Sequence, residues 1–124
     1  MENERLRKIA KKLGDAIARK RAERGLTQEE VAERLGVGNE AISRMERGVV
    51  LPTLARLFDF ADALGCRIDE LLYQASDRAV DQGAAIAQHL ARLSERDRLM
   101  VTAAMSTLVD RLAEQGERKG RTGR

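Results

Sequence analysis

The sequence predicts an all-α protein. Aromatic residues make up only 2% of its 124 residues, and Pro52 is the single proline. Alanine, leucine, glutamate and arginine dominate the composition, and these residues favour helices over strands. Apolar residues also recur at steps of three and four, which is the repeat of an amphipathic helix. An all-β fold does not fit this composition.

Most helix ends can be located from their capping residues. A basic amphipathic helix is predicted over residues 5–24 and ends before Gly25, a residue suited to the left-handed position after a helix. Thr27 and Glu30 form the capping box of a second helix, which Gly36 ends after two turns. Three further helices are predicted over residues 39–47, from Thr53 to Gly65, and over residues 69–73.

Two longer helices follow these five. The first is predicted over residues 77–93, and the second begins at the cap formed by residues 94–97 and runs to Glu114. Residues 116–124 contain no apolar side chain, so we expect a disordered basic tail there.

Several classes of protein are excluded by what the sequence lacks. No run of about 18 uncharged apolar residues could span a membrane, and the first residues do not form a signal peptide. Cys66 is the only cysteine and His89 the only histidine, so neither a disulfide framework nor a Cys/His metal cluster fits one chain. No enzyme motif is present. We expect a cytoplasmic protein that is not an enzyme and has no cofactor.

The charge is unevenly distributed. The whole chain carries a net charge of +3, but residues 1–26 carry +5, residues 27–76 carry −4 and residues 77–124 carry +2. A basic first segment suggests an anionic partner such as nucleic acid. The same charges also fit the solvated outer face of an ordinary amphipathic helix.

The most informative segment is residues 27–48. Two capped helices of two turns each are separated here by a tight turn at residues 36–38, which is the layout of a helix-turn-helix. In that layout the second helix can enter a major groove of DNA. Matching core, cap and turn residues extend over about half of the chain: Leu13-Gly14, Arg21, Gly25 to Ala32, Leu35-Gly36-Val37, Ile42-Ser43, Glu46-Arg47-Gly48, Pro52, Leu57, Ala63-Leu64-Gly65 and Asp69 to Leu72.

This pattern closely resembles the XRE family of DNA-binding domains, the Cro/CI type. The resemblance implies a lambda-repressor-like five-helix domain over residues 1–75, with a basic helical extension at residues 1–12 and the helix at residues 39–47 as the recognition helix. It further implies a transcriptional regulator, most often a repressor, that binds a palindromic double-stranded DNA operator as a homodimer. Residues 76–115 then form a helical hairpin whose apolar band can pack on the first domain or pair with a second subunit. We favour pairing, which makes the hairpin a dimerisation extension.

The resemblance places four side chains of the recognition helix towards the bases: Asn39, Glu40, Ser43 and Arg44. Their chemistry fits this role. Arg44 can donate two hydrogen bonds to guanine, Asn39 can pair with adenine, and Glu40 can accept from the cytosine amino group.

Four other residues are expected to contact phosphate: Gln28, Gly38, Arg47 and Arg19. Gln28 and Gly38 lie at helix starts, where free N–H groups suit an anion. The resemblance also implies that Arg21 and Glu46 form a largely buried ion pair that orients the recognition helix, and that neither of them contacts a base.

Three departures from the family pattern leave a second interpretation open. Gly38 replaces a capping Ser or Thr, Val49-Val50-Leu51 replaces a polar linker, and Arg67 replaces a capping Ser. The apolar linker suggests a contact surface for another protein. The alternative is therefore a protein-interaction module, such as an antitoxin or an antirepressor-binding protein, with a partner that the sequence does not identify.

Overall fold

The structure, a computed structural model, describes residues 3–122 and is all-α, as predicted. The described residues form seven helices and no strand. Five helices make up the predicted domain and two follow it: α1 (Glu4–Glu23), α2 (Gln28–Leu35), α3 (Asn39–Glu46), α4 (Leu54–Leu64), α5 (Ile68–Ala75), α6 (Ala79–Ala91) and α7 (Glu95–Thr122).

The capping residues end and begin the helices where the sequence places them. Thr27 Oγ1 accepts the Glu30 N–H at 3.1 Å, and the Thr27 N–H donates to Glu30 Oε1 at 3.3 Å, so the capping box is present. Gly36 and Gly65 follow α2 and α4 with φ near +69° and +62°, where a glycine has no steric penalty. The predicted bounds of α1 to α6 and the predicted start of α7 are therefore correct to within a few residues.

One core holds the first five helices together. α1 packs against α3 and α5, and α2 packs against α3 and α4. The largest fully buried side chains come from all five helices: Leu13, Ile17, Val31, Ile42, Phe60, Leu64 and Leu71. Cys66 is half-buried against this core. Burial is the main effect that raises the pKa of its thiol, and the negative charge of Glu70 raises it further.

The chain divides into two compact units, Met1–Ala85 and Ile86–Arg124. The boundary expected at residues 75–76 lies within the first of these units. Ser76 connects the end of α5 to the start of α6. Its hydroxyl donates to Asp81 Oδ2 at 2.6 Å and accepts the Arg78 N–H at 3.0 Å.

In the second unit, Arg98 caps the last carbonyls of α6. Its Nε donates to the Leu90 carbonyl at 2.8 Å.

α7 continues through residues 116–122, where the sequence predicts disorder. Glu117, Arg118 and Lys119 have favourable helix propensities and extend the preceding helix without needing apolar contacts. Residues 123 and 124 of the expected tail lie outside the described residues. No helix in the described part of the chain is long and apolar enough to cross a membrane.

α1 crosses the end of α3 at a glycine. A Cβ atom on Gly14 would lie 2.4 Å from the Glu46 carbonyl oxygen and 2.5 Å from that of Met45. Backbone atoms cannot move aside as a flexible side chain does, so only glycine allows this approach. Gly48 makes a similar approach, with a would-be Cβ 2.7 Å from the Lys11 Cα.

We expect Gly14→Ala to destabilise the protein, although alanine is the better helix former. Overpacking of this kind costs about 1–3 kcal/mol. Gly83→Ala is the matched control, because Gly83 is also helical and a Cβ there meets nothing within 4 Å. The control should stabilise the protein by about 0.5–1 kcal/mol. Urea denaturation measures both changes, and a Gly14→Ala protein as stable as the control would contradict the close approach.

Candidate nucleic-acid interface

The end of α3 is held by a buried carboxylate. Glu46 is only 6% exposed, and its side chain accepts hydrogen bonds from two other helices. Arg21 on α1 donates from Nε to Oε2 at 2.8 Å and from Nη2 to Oε1 at 2.9 Å. Gln28 at the start of α2 donates from Nε2 to Oε1 at 3.2 Å. The structure therefore contains the ion pair of Arg21 and Glu46 that the family resemblance implies. Gln28 adds a further hydrogen bond to this pair.

The third nitrogen of the Arg21 guanidinium also donates a hydrogen bond. Its Nη1 donates to the Leu26 carbonyl at 2.8 Å, in the turn between α1 and α2. The hydrogen bond to Glu46 raises the pKa of Arg21, against the opposing effect of burial. The guanidinium therefore stays charged and links α1, the following turn and α3. We name this set of three side chains, Arg21, Gln28 and Glu46, the anchor.

With its inner side anchored, α3 presents one continuous arc to solvent. Ile42 and Met45 are buried in the core, and Ala41 is half-buried against it. The predicted base-contacting residues fall on the opposite side, within an arc of roughly 140° at 3.6 residues per turn: Asn39, Glu40, Ser43 and Arg44. All are exposed except Ser43, which is half-buried. The structure thus brings these four residues together on one surface.

Three of these four side chains, those of Asn39, Ser43 and Arg44, make no side-chain hydrogen bond among residues 3–122. Asn39 lies at the first position of α3 and Arg44 in its last turn. Their donors and acceptors are not used within the described residues and are available to a ligand. An amide and a guanidinium are the groups that pair with adenine and guanine edges in a major groove.

Arg47, the residue that follows α3, has partners on that helix. Its Nη2 donates to Glu40 Oε1 at 3.2 Å, and its Nε donates to the Ser43 carbonyl at 3.3 Å. Both charged side chains are largely exposed. Arg47, which the sequence predicts to contact phosphate, therefore lies along the surface of α3 and not beyond its end.

Gln28 and Gly38 stand at the starts of α2 and α3. The amide nitrogen of Gln28 is used in the anchor, so its side chain has a structural role that sequence reasoning missed. Gly38 is the N-cap of α3 and provides no side-chain hydrogen bond to the helix. The first N–H groups of α3 are thus left without a side-chain cap.

Arg19 is not brought to the surface of α3. Its Nη1 donates to Gln74 Oε1 on α5 at 3.5 Å. Because two residues along a helix correspond to a rotation of roughly 200°, Arg19 points away from Arg21 and from the anchor. This placement does not support the predicted phosphate contact.

The basic first segment carries less free charge than the sequence suggests. Lys8, Lys11 and Lys20 each lie within 4.0 Å of a carboxylate oxygen. Arg24 donates from Nη2 to the Gly65 carbonyl, at the end of α4. Arg34 and Arg56 likewise donate to the carbonyls of Ala63 and Leu35. These arginines cap helix ends, a role that no local sequence signal distinguishes from surface charge.

Four exposed apolar residues follow the end of α3 along the chain: Val49, Val50, Leu54 and Phe58, of which Phe58 is 52% exposed. We call these four residues the apolar patch. The N–H groups of Val49 and Val50 donate to the Arg44 carbonyl at 3.0 and 3.4 Å, which places these two residues beside the last turn of α3. Within the described residues, no group of three or more His, Cys, Asp or Glu side chains could hold a metal ion.

Comparison with known proteins gives a consistent result. Residues 17–71 match the model of a family described as helix-turn-helix. An uncharacterized HTH-type transcriptional regulator of Sinorhizobium fredii, y4dJ, is 45% identical over 64 residues, which are 52% of this chain and 83% of that protein. Another from Methanothermobacter thermautotrophicus is 47% identical over 49 residues, 40% of this chain and 71% of that protein.

A solved structure is similar as well. The crystal structure of the clp gene regulator ClgR from Corynebacterium glutamicum superposes with a TM-score of 0.54 at 30% identity. The match covers 68% of this chain and 87% of that one.

We expect Arg21→Ala to lower the free energy of unfolding by about 3–5 kcal/mol, since it leaves the buried charge of Glu46 without its partner. Glu46→Ala should cost less, because the Arg21 side chain is 20% exposed and its charge can reach solvent. The double change should cost less than the sum of the two single changes. Thermal or urea denaturation of the four proteins measures this coupling.

The exposed pair of Lys11 and Asp15, 3.1 Å apart, is the control for this cycle. Its coupling should be only about 0–1 kcal/mol. If the losses in free energy of unfolding from the Arg21 and Glu46 changes were simply additive, the two side chains would not interact directly.

Proposed function

Because this chain belongs to the helix-turn-helix family of HTH-type transcriptional regulators, we propose that it binds DNA sequence-specifically with α3 as its recognition helix. The single observation that carries this proposal is the exposed arc of α3, whose inner side is fixed by the anchor. Selection of bound sequences from random duplex DNA tests it, because a sequence-specific regulator enriches one motif and a protein-interaction module enriches none.

In this proposal the arc contacts base edges in a major groove. Arg44 donates two hydrogen bonds to guanine, and Asn39 pairs with adenine. Glu40 accepts from the cytosine amino group, and Ser43 makes a less selective contact. The free donors of Asn39 and Arg44 support these roles, since no internal hydrogen bond has to be broken first.

Phosphate contacts are proposed at the starts of α2 and α3. At Gln28 and Gly38 the donors are backbone N–H groups, which helix starts direct towards anions. The side-chain amide of Gln28 supports the anchor instead. These contacts position the domain on the duplex and carry no sequence information.

We further propose a homodimer formed by α7. Val101, Met105, Leu108 and Leu112 follow each other at steps of four, three and four, which aligns them on one side of the helix. Leu108 and Leu112 are more than half exposed, and an exposed apolar stripe of this kind marks a protein contact.

A symmetric dimer would bind a palindromic operator with half-sites about 34 Å apart. Such a dimer represses transcription when its operator overlaps a promoter. We propose this role for the protein, in the cytoplasm and at the nucleoid.

One observation favours a second candidate function. The apolar patch of Val49, Val50, Leu54 and Phe58 follows the end of α3 along the chain, and an apolar surface has no use in contacting phosphate. A protein partner such as a toxin or an antirepressor could bind there, either alone or in addition to DNA. Replacement of Leu54 by Ser would then weaken binding of that partner and leave the selected DNA motif unchanged.

We expect Arg44→Ala to relax the base preference at one base pair in each half-site, by about 1–3 kcal/mol of discrimination. Binding to matched and singly substituted duplexes measures this change. Arg92→Ala, which removes an exposed arginine beyond the end of α6, should leave the preference unchanged. Retention of the full preference by Arg44→Ala would refute this placement of α3.

We expect Leu108→Glu to convert a dimer into a monomer, because two carboxylates would enter the apolar contact. Leu99→Glu is the matched control: Leu99 is similarly exposed, 66% against 59% for Leu108, but lies on the opposite side of α7. Sedimentation equilibrium at micromolar concentration distinguishes the two states. A monomeric natural chain, or a dimeric Leu108→Glu variant, would rule out dimerisation through this stripe.

A further inference from the structure

The guanidinium of Arg47 lies over the middle of α3. Its two hydrogen bonds, to Glu40 Oε1 and to the Ser43 carbonyl, draw the side chain back along the helix surface. Side chains on a helix lean towards its N-terminus, so a long residue after the last turn naturally covers the turns before it. Glu40 and Ser43 both belong to the exposed arc, and Arg47 therefore occupies the centre of that arc and not its end.

We propose that Arg47 contacts a base and that Glu40 positions it for this contact. This inference rests on the proposed function and gives Arg47 a different role from the phosphate contact that the sequence predicts. When a helix enters a major groove, phosphates lie at the two rims and base edges lie beneath the middle of the helix. A guanidinium at the centre of the arc faces bases, and its planar fork matches O6 and N7 of guanine.

The ion pair of Glu40 and Arg47 contributes little to the stability of the fold. The two side chains are 77% and 59% exposed, and exposed ion pairs of this kind contribute almost nothing to stability. The anchor and the core already hold α3 in place. The fold does not need this ion pair, and the pair lies on the arc that would contact DNA. We therefore attribute it to DNA recognition.

Glu40 serves this purpose in two ways. Its Oε1 holds one end of the Arg47 fork and so restricts the directions in which the other donors point. The nearby guanidinium also compensates the negative charge of Glu40, which would otherwise be repelled by the phosphates of the groove. Oε2 of Glu40 has no hydrogen-bond partner among residues 3–122 and can accept from a cytosine amino group beside the guanine. Glu40 is thus a positioning residue for Arg47 as well as a contact of its own.

Lysine in place of Arg47 separates base contact from phosphate contact. An ammonium group keeps the charge but has no planar fork. If Arg47 binds guanine, Arg47→Lys loses base preference at one position and keeps the salt dependence of binding. If Arg47 binds phosphate, Arg47→Lys behaves almost as the natural chain does. Only removal of the charge, in Arg47→Gln, then lowers the salt slope, by about one for each phosphate that is no longer neutralised.

The experiment uses the full chain and four variants: Arg47→Lys, Arg47→Gln, Glu40→Gln and the control Arg67→Gln. Arg67 is an exposed arginine paired with Asp69 at the start of α5. Each protein is taken through selection from random duplex DNA, followed by binding to matched and singly substituted sites over a salt series. Thermal melts accompany the binding data, and the exposed positions of the changes should leave the melting temperature nearly unchanged.

We expect Arg47→Lys and Glu40→Gln to relax discrimination at the same base pair, by a factor of about 5 to 150. Arg67→Gln should keep the full motif. Three results would overturn the inference alone: an intact motif with Arg47→Lys, uniform weakening on all duplexes with Arg47→Gln, or effects of Glu40→Gln confined to a different base pair. A natural chain that enriches no motif would instead overturn the proposed function, and this inference with it.

Discussion

The orientation of α3 depends on one buried carboxylate. Glu46 belongs to the last turn of α3, and its charge is almost fully removed from water. A buried carboxylate is tolerated only when its oxygens accept hydrogen bonds and an opposite charge lies near. Arg21 from α1 and Gln28 from α2 meet these requirements together. The same geometry that satisfies the charge therefore determines where α3 lies relative to the two helices before it, which hydrophobic contacts alone would allow to slide.

Gly14 and Gly48 complete this constraint from the other side. They let the backbone of α1 touch the end of α3 and the chain that follows it. Contact between backbones leaves no room for a rotamer change to absorb a shift of α3. The outer arc of α3 is thus presented by a rigid support, as contacts with base edges require, since hydrogen bonds weaken steeply when they are poorly aligned.

Local chemistry made most of the fold predictable from the sequence, and distant contacts account for what was not. The capping box of Thr27 and Glu30 and the glycines that end helices act within a few residues, so the pattern alone locates them. The pairing of Arg21 with Glu46 spans 25 residues and was reached only through the family resemblance. The hydrogen bond from Gln28 to Glu46 and the placement of Arg19 against α5 depend on how helices cross. Residues 116–122 are helical although they are entirely polar, because favourable helix propensity lets a polar segment extend a helix that has already formed.

The use of arginine shows why charge counting along the chain overstates the charge available for DNA. Arg24, Arg34 and Arg56 each donate to a backbone carbonyl at or near a helix end, where the helix dipole also favours a positive charge. Directed to those carbonyls, they are not positioned to neutralise phosphates. Under the proposed function, these three arginines contribute less to counterion release than their number suggests. The exposed arc of α3 would then carry more of the affinity, and two arcs joined in one dimer would double its directed contacts without further charge.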